Sequence, residues 1–241
     1  MRSIDFALVF CGGKGTRLGH IGKKKNKSML LVNRKPIIFY IVSTLIKANV
    51  NKIIFPLGYK GETIKNYLKK KFSNEIHRFI FINTGVNSTI SKRVSIVKKN
   101  ISKNKNILLL NGDTIIKFDL LKILKQYNKK PIACIFSKKI DLGFFYKKNN
   151  NYTFIKKSFI NNFISEKKSF SAYSGIVLFN TNILFSLNLN KNNNFEEMLF
   201  RKILENNNIT IHNIKENCFP IDNLKDLEYA NLNINKISNF K

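Results

Sequence analysis

A chain of 241 residues that is 44% hydrophobic can bury one sizeable core, which excludes fibrous and collagen-like classes and makes a single domain the expectation. The formal charge of +29 invites a nucleic-acid reading, but the lysines are spread along the chain among Asn, Ile and Phe, without a single stripe, a zinc-finger spacing or an aromatic RNA-binding signature; no nucleic-acid partner is expected. Three scattered cysteines (Cys11, Cys134, Cys218) and three histidines without ligand spacing speak against disulfides and a transition metal, while the absence of a signal-like or membrane-length apolar run predicts a soluble, cytoplasmic chain without a membrane partner.

In chain order, Phe6 to Cys11 is a continuous apolar run ending in glycines, as expected of a strand buried on both faces. Pro36 to Lys47 has helical spacing, with Ile37, Tyr40, Ile41, Thr44 and Leu45 along one side. Lys52 to Leu57 predicts a strand, Glu62 to Phe72 an amphipathic helix, Phe79 to Asn83 a strand, Ser91 to Asn100 a helix and Ile107 to Leu110 another buried strand. Buried runs separated by helices predict an α/β fold with an open, mainly parallel sheet. Further on, Ile132 to Ser137, Gly143 to Lys147, Tyr152 to Lys156 and Ala172 to Phe179 predict strands, and Phe195 to Glu205 and Leu224 to Ile234 predict helices. This second half is expected to extend the same sheet in a partly antiparallel way.

The chemistry begins at Cys11-Gly12-Gly13-Lys14-Gly15-Thr16-Arg17-Leu18-Gly19, where the first strand ends. Glycines let main chain approach phosphates, successive N–H groups can cradle the oxygens, and Arg17 adds a fixed charge. The turn is neither a P-loop, which needs Gly-Lys-Ser/Thr, nor the dinucleotide fingerprint, whose third small residue is replaced by Leu18. Asp113, in Asn111-Gly112-Asp113-Thr114, follows the buried strand Ile107 to Leu110 and falls where open α/β sheets bind ligands. A turn former would look the same, and Asp222, ahead of a helix, could equally be an N-cap.

The order Gly-Gly-x-Gly-Thr-Arg-Leu, then Lys27 within Lys25-Asn26-Lys27-Ser28-Met29-Leu30, then Lys35-Pro36-Ile37, resembles the sugar-1-phosphate nucleotidyltransferases. Gly58-Tyr59-Lys60-Gly61 and Asn83-Thr84-Gly85 followed by Lys92-Arg93 resemble its glucose-1-phosphate cytidylyltransferase branch. The resemblance implies a Rossmann-like fold with a small sugar-binding extension, residues 1–130 forming a nucleotide-binding half and 131–241 a sugar-phosphate-binding half. It implies joining of a nucleoside triphosphate, CTP by preference, to a sugar 1-phosphate with release of pyrophosphate. The product would be an NDP-sugar of the kind used for cell-surface polysaccharides.

On the matching positions, Arg17 and Lys27 would be catalytic, Asp113 and Asp222 would hold Mg²⁺, and Gly12, Gly13, Gly15, Thr16, Gly85 and Gly112 would take the nucleotide. Glu166-Lys167 resembles the pair that meets the sugar hydroxyls and sugar phosphate, and Gly143, Ser174 and Gly175 would leave room for the sugar. Phe195-Glu196-Glu197 resembles an aromatic-Glu step, but an acid pair in a first helical turn also complements the helix dipole and is read as structural.

Cys11 stands where the family has alanine, a small-for-small exchange. Asn26 replaces a common proline and is expected to loosen the loop while keeping the charge of Lys27. Ser91-Lys92 replace a Gly-Gly pair near the base, which leaves GTP, UTP and dTTP open beside CTP. A catalytically silent nucleotide or sugar-nucleotide binder is the rival reading, and homo-oligomerisation is left open.

Overall fold

A computed structural model describes residues 3–15, 18–116, 120–128, 130–136, 144–148, 151–155, 171–189, 194–205, 209–214 and 218–234. Strand β1 (Phe6–Phe10) is followed by the short helix α1 (Gly19–Lys24). A hairpin of two-residue strands, β2 (Leu31–Val32) and β3 (Lys35–Pro36), leads into α2 (Ile37–Lys47). Next come β4 (Lys52–Leu57), α3 (Gly61–Lys71), β5 (Phe79–Asn83), α4 (Ile90–Val97) and β6 (Asn106–Asn111). Beyond these lie β7 (Thr114–Ile116), α5 (Leu120–Gln126), β8 (Ile132–Phe136), β9 (Phe144–Lys148), β10 (Asn151–Ile155) and the long β11 (Ser171–Asn180). The chain closes with α6 (Thr181–Ser186), α7 (Phe195–Leu204), β12 (Thr210–Asn213), β13 (Cys218–Pro220) and α8 (Leu224–Asn233).

β5, β4, β1 and β6 lie side by side in that order, all parallel. Each is apolar on both faces because helices cover both: in β1, Ala7 and Val9 enter one core cluster and Leu8 the other. Helix α2 forms because Ile37, Ile38, Ile41 and Leu45 give one buried stripe after a proline in extended conformation. It ends at Asn49, whose φ of +53° is a left-handed stop. α3 carries Glu62 in its first turn and Lys69, Lys70 and Lys71 in its last, matching the helix dipole at both ends.

β11 joins the two halves of the sheet. Its second part pairs antiparallel with β6, its first part with β9, and β8 pairs antiparallel along it with a bulge between Tyr173 and Val177. β9 and β10 form an antiparallel pair, and β12 adds parallel to β8. The α/β class and the partly antiparallel extension of the same sheet are therefore as the sequence predicts. A two-stranded unit of β13 on β7 stands apart from the main sheet.

Candidate active site

From β1 the chain moves first toward β4 and β5, then crosses back to β6 on the other side of β1. The loops leaving β1 and β6 therefore part, and a crevice opens at their carboxyl ends. Two adjoining cavities occupy it, sharing Phe10, Gly13 and Asp113 in their walls. One is lined by Gly15, Lys27, Ser28, Gly112 and Asp222 as well. The other, of about 510 Å³, is lined also by Gly12, Lys14, Val86, Asn87, Ser88 and Glu196 and has the size of a small-molecule site.

The glycine turn forms one wall. A Cβ at Gly12 would run into the Arg93 guanidinium and lie 2.8 Å from the Pro56 carbonyl oxygen, so only glycine fits there. Gly15 has a φ of +62°, the left-handed region that glycine enters without strain. Gly13 is open on its Cβ side. Gly112 donates its N–H to the Phe10 carbonyl at 3.0 Å, which docks the Asp113 turn against the end of β1. Gly85 closes the turn after β5, its N–H donating to Asn83 Oδ1 at 3.0 Å, beside the cavity-lining Val86 to Ser88.

Arg93, on α4, underpins this wall. It is 4% exposed, and its guanidinium donates to the carbonyls of Gly12 (3.0 Å) and Leu57 (3.3 Å) and to Thr84 Oγ1. Burial lowers its pKa from the ordinary arginine value, opposed by the neighbouring Cys11. Cys11 is itself buried, and burial pushes its thiol up to about 12, so it packs as a small neutral group, as expected for an alanine replacement.

Beside the glycine turn, the same cavity is lined by charge. The pairing of Pro220 with Thr114 across β13 and β7, with Ile221 N–H donating to the Asp113 carbonyl at 3.1 Å, brings Asp113 and Asp222 to one place. Lys27 Nζ donates to Asp113 Oδ2 at 2.7 Å and to Asp222 Oδ1 at 2.8 Å. Burial opposes the charge of Lys27, but Asp113 and then Asp222 outweigh it and raise the pKa above the ordinary lysine value. Asp222 is not the N-cap of α8. Asn223 holds that place and forms a capping box with Asp226, leaving the Asp222 carboxylate to the cavity. Asp113 does lie in the turn between β6 and β7, and its carboxylate is turned to Lys27.

Asn26 behaves opposite to the expectation of a loosened loop. It is 1% exposed, and its Nδ2 donates to the carbonyls of Cys11 (2.9 Å) and Tyr59 (2.7 Å) while its Oδ1 accepts from Ser28 N–H (2.8 Å). A proline has no side-chain donor to do this.

Glu196 is not among the residues the sequence places at the site. Asn194 caps α7 by accepting from Glu197 N–H, and Glu197 pairs with Arg201 at 2.7 Å on the outer face. Glu196 instead lines the larger cavity with Asp113, where burial first and the Asp113 charge second push its carboxyl up to about 7. The aromatic-Glu step is the available signal, since Phe195 anchors the turn edge-on to Phe10 with ring centroids 5.9 Å apart.

On the expected sugar side, Ser174 turns its hydroxyl to the Cys134 carbonyl at 2.8 Å. The space left by Gly175, whose φ is +80°, is taken by the Asn111 side chain, and Asn111 in turn lines the larger cavity. Thr16, Arg17, Gly143, Glu166 and Lys167 lie outside the described residues.

A glycine-rich main-chain turn and two carboxylates gathered on Lys27 thus line one cavity at the switch point of an open α/β sheet, the place where sheets of this class bind ligands. The chain belongs to the nucleotidyl transferase family, whose sequence profile matches residues 6–216. It is 33% identical over 128 residues to the D-glycero-alpha-D-manno-heptose 1-phosphate guanylyltransferase of Campylobacter jejuni, covering 53% of this chain and 56% of that protein. It is 27% identical over 146 residues to a Bacillus subtilis protein named probable glucose-1-phosphate cytidylyltransferase, covering 53% and 57%. The matched region thus spans little more than half the length of these relatives. In fold, the chain is similar to the crystal structure of UDP-glucose pyrophosphorylase complexed with UDP-glucose, with a TM-score of 0.78 at 18% identity over 97% of this chain and 99% of that one. Among the described residues, no helix is long and apolar enough to cross a membrane.

Proposed function

We propose that the chain is a Mg²⁺-dependent sugar-1-phosphate nucleotidyltransferase, which joins a nucleoside triphosphate to a sugar 1-phosphate and releases pyrophosphate. The observation that carries this reading is the convergence of Asp113 and Asp222 on a single ammonium within 2.8 Å, in the same cavity as the glycine turn. That convergence supports a cation site at the same place. An all-oxygen donor set with only two protein carboxylates fits Mg²⁺, which leaves most of its positions to water and phosphate. Held by Asp113 and Asp222, it would supply charge neutralisation to the reacting phosphates.

The chain's own residues divide the remaining work. The phosphate monoester of the sugar is already anionic, so the nucleophile needs no base, and the barrier lies in bringing anions together and in charge growing on the leaving group. The amides of Gly12, Gly13 and Gly15 would receive triphosphate oxygens, with Arg17 and Lys27 stabilising the charge that develops on pyrophosphate. Val86 to Ser88 and the Gly85 turn border the space for the base. The nucleotide then occupies the side built by residues 1–130, and the sugar phosphate the side built by 131–241, with Glu166, Lys167 and Gly143 meeting it. Gly175 contributes by leaving room for the Asn111 side chain.

CTP is the first choice of triphosphate, on the Gly58-Tyr59-Lys60-Gly61 and Asn83-Thr84-Gly85 segments, and the departure at Ser91-Lys92 keeps GTP, UTP and dTTP open beside it. Each nucleoside triphosphate offered with Mg²⁺ and a panel of sugar 1-phosphates should reveal one preferred pair by pyrophosphate release. No release from folded protein with any pair would favour a silent binder.

A further inference from the structure

We propose that Asn26 is a positioning residue: its side chain fastens the turn that carries Lys27 to the glycine turn, setting both the Lys27 ammonium and the direction of the Gly12 amide. The inference rests on the roles given above to Lys27 and the glycine turn.

Both hydrogens of the Asn26 amide are used, one on the loop after β1 (Cys11 carbonyl) and one on the loop after β4 (Tyr59 carbonyl). Its oxygen caps the 3₁₀ turn Lys27–Met29 through Ser28 N–H. Tyr59 N–H in turn donates to the Gly12 carbonyl at 3.2 Å, so the two loops and the lysine turn are stapled at one buried point. In a trans peptide the carbonyl and the following N–H point in opposite directions. Drawing the Cys11 carbonyl onto Asn26 therefore turns the Gly12 N–H away from it, and among the described residues that amide meets no acceptor. Asn26 does not line either cavity, whereas its neighbours Lys27 and Ser28 do, so it acts through them. Its φ of −64° is one that proline also adopts, so a proline could hold the backbone here but could not tie the loops.

The test compares Asn26→Ala and Asn26→Ser with the wild type. Serine keeps an oxygen for the Ser28 cap but is too short to reach both carbonyls, which protects against a variant that fails to fold. In chelator, a limiting amine-reactive reagent followed by peptide mass spectrometry reads the exposure of Lys27, whose side chain is 15% exposed. We expect Lys27 modification to rise several-fold in both variants while Lys69 to Lys71 react as before; unchanged Lys27 labelling overturns the proposal whatever the enzyme's substrates. In the pyrophosphate assay, Asn26→Ala should lower kcat by about tenfold or more with KM near wild type. The same change made in a Lys27→Ala background should cost clearly less, the remainder being the share carried by the Gly12 amide, and equal losses in both backgrounds would show that Asn26 does not work through Lys27. A wild type without any turnover would sink the nucleotidyltransferase reading alone, since the labelling still judges Asn26.

Discussion

Along the glycine-turn wall, from Cys11 to Gly15, three of the five residues are glycines, and two buried donors, Asn26 and Arg93, hold the successive carbonyls of Cys11 and Gly12. The other wall is side-chain charge brought from Lys27, Asp113 and Asp222, three segments far apart in the chain. The first wall takes its shape from fixed peptides and fails when their packing fails. The second depends on electrostatic balance and can lose its chemistry without losing its fold. Substitutions on the two walls should therefore separate turnover from stability.

The largest effect is expected on the charged wall. Asp113→Asn and Asp222→Asn keep the shape but remove the carboxylate, and each should lower pyrophosphate release on the order of 10²-fold or more. One residue further, Asn223→Ala removes the α8 cap, and urea unfolding should report a loss of about 1 kcal/mol with turnover nearly intact. If Asn223→Ala instead matched Asp222→Asn in turnover, the division between the walls would not hold.

The two walls are also unequally legible in the sequence. Parallel strands buried on both faces announce themselves as unbroken apolar runs, and β1, β4 and β5 fall within a residue of the expected limits. The glycine turn and the Asp113 turn follow directly, as strand ends at a switch point. The short pairing of β7 with β13, which delivers Asp222, is a contact between distant three-residue strands with no local pattern, and only family resemblance names that carboxylate. Asn26 escapes the sequence reading because the proline comparison weighs backbone stiffness and says nothing of side-chain donors. Glu196 escapes it because a first-turn acid has a sufficient local reason to exist, and of the two acids only Glu197 pairs along the helix.

An intermediate effect is expected on the main-chain wall. Gly12→Ala must displace the Arg93 guanidinium or the Pro56 carbonyl, and overpacking of this kind costs about 1–3 kcal/mol. Arg93→Met removes the guanidinium, but the Gly12 carbonyl keeps Tyr59 N–H and the Leu57 carbonyl keeps Thr84, so the loss by urea unfolding should be about 1 kcal/mol. The double variant Gly12→Ala/Arg93→Met should cost less than the sum of the two, because the methionine no longer fills the space that the new methyl enters. Strict additivity in the unfolding midpoints would mean that Gly12 and Arg93 are not coupled as their packing requires.

The smallest effect tests where the walls meet, at Glu196. Its carboxyl titrates at about 7 in the folded chain against an ordinary value of 4.5, because burial and then Asp113 disfavour its charge. The folded state thus holds this proton more tightly than the unfolded state does, and the associated stability is present in full below pH 4.5. It is lost as pH rises through the window up to about 7, where the unfolded chain has released the proton and the folded chain is only beginning to. A tenfold difference in proton affinity is worth about 1.4 kcal/mol, and solvent reaching the cavity reduces the total, so a loss of roughly 1–2 kcal/mol across the window is expected. In chelator, so that no cation alters the field of Asp113, Glu196→Gln should flatten this part of the stability profile and be the more stable protein at pH 8. Asp113→Asn should narrow the window from its upper end only in part, since burial is the larger cause. A wild-type profile already flat between pH 4.5 and 7 would mean that Glu196 is solvated in the free chain and belongs to the outer face of α7 with Glu197.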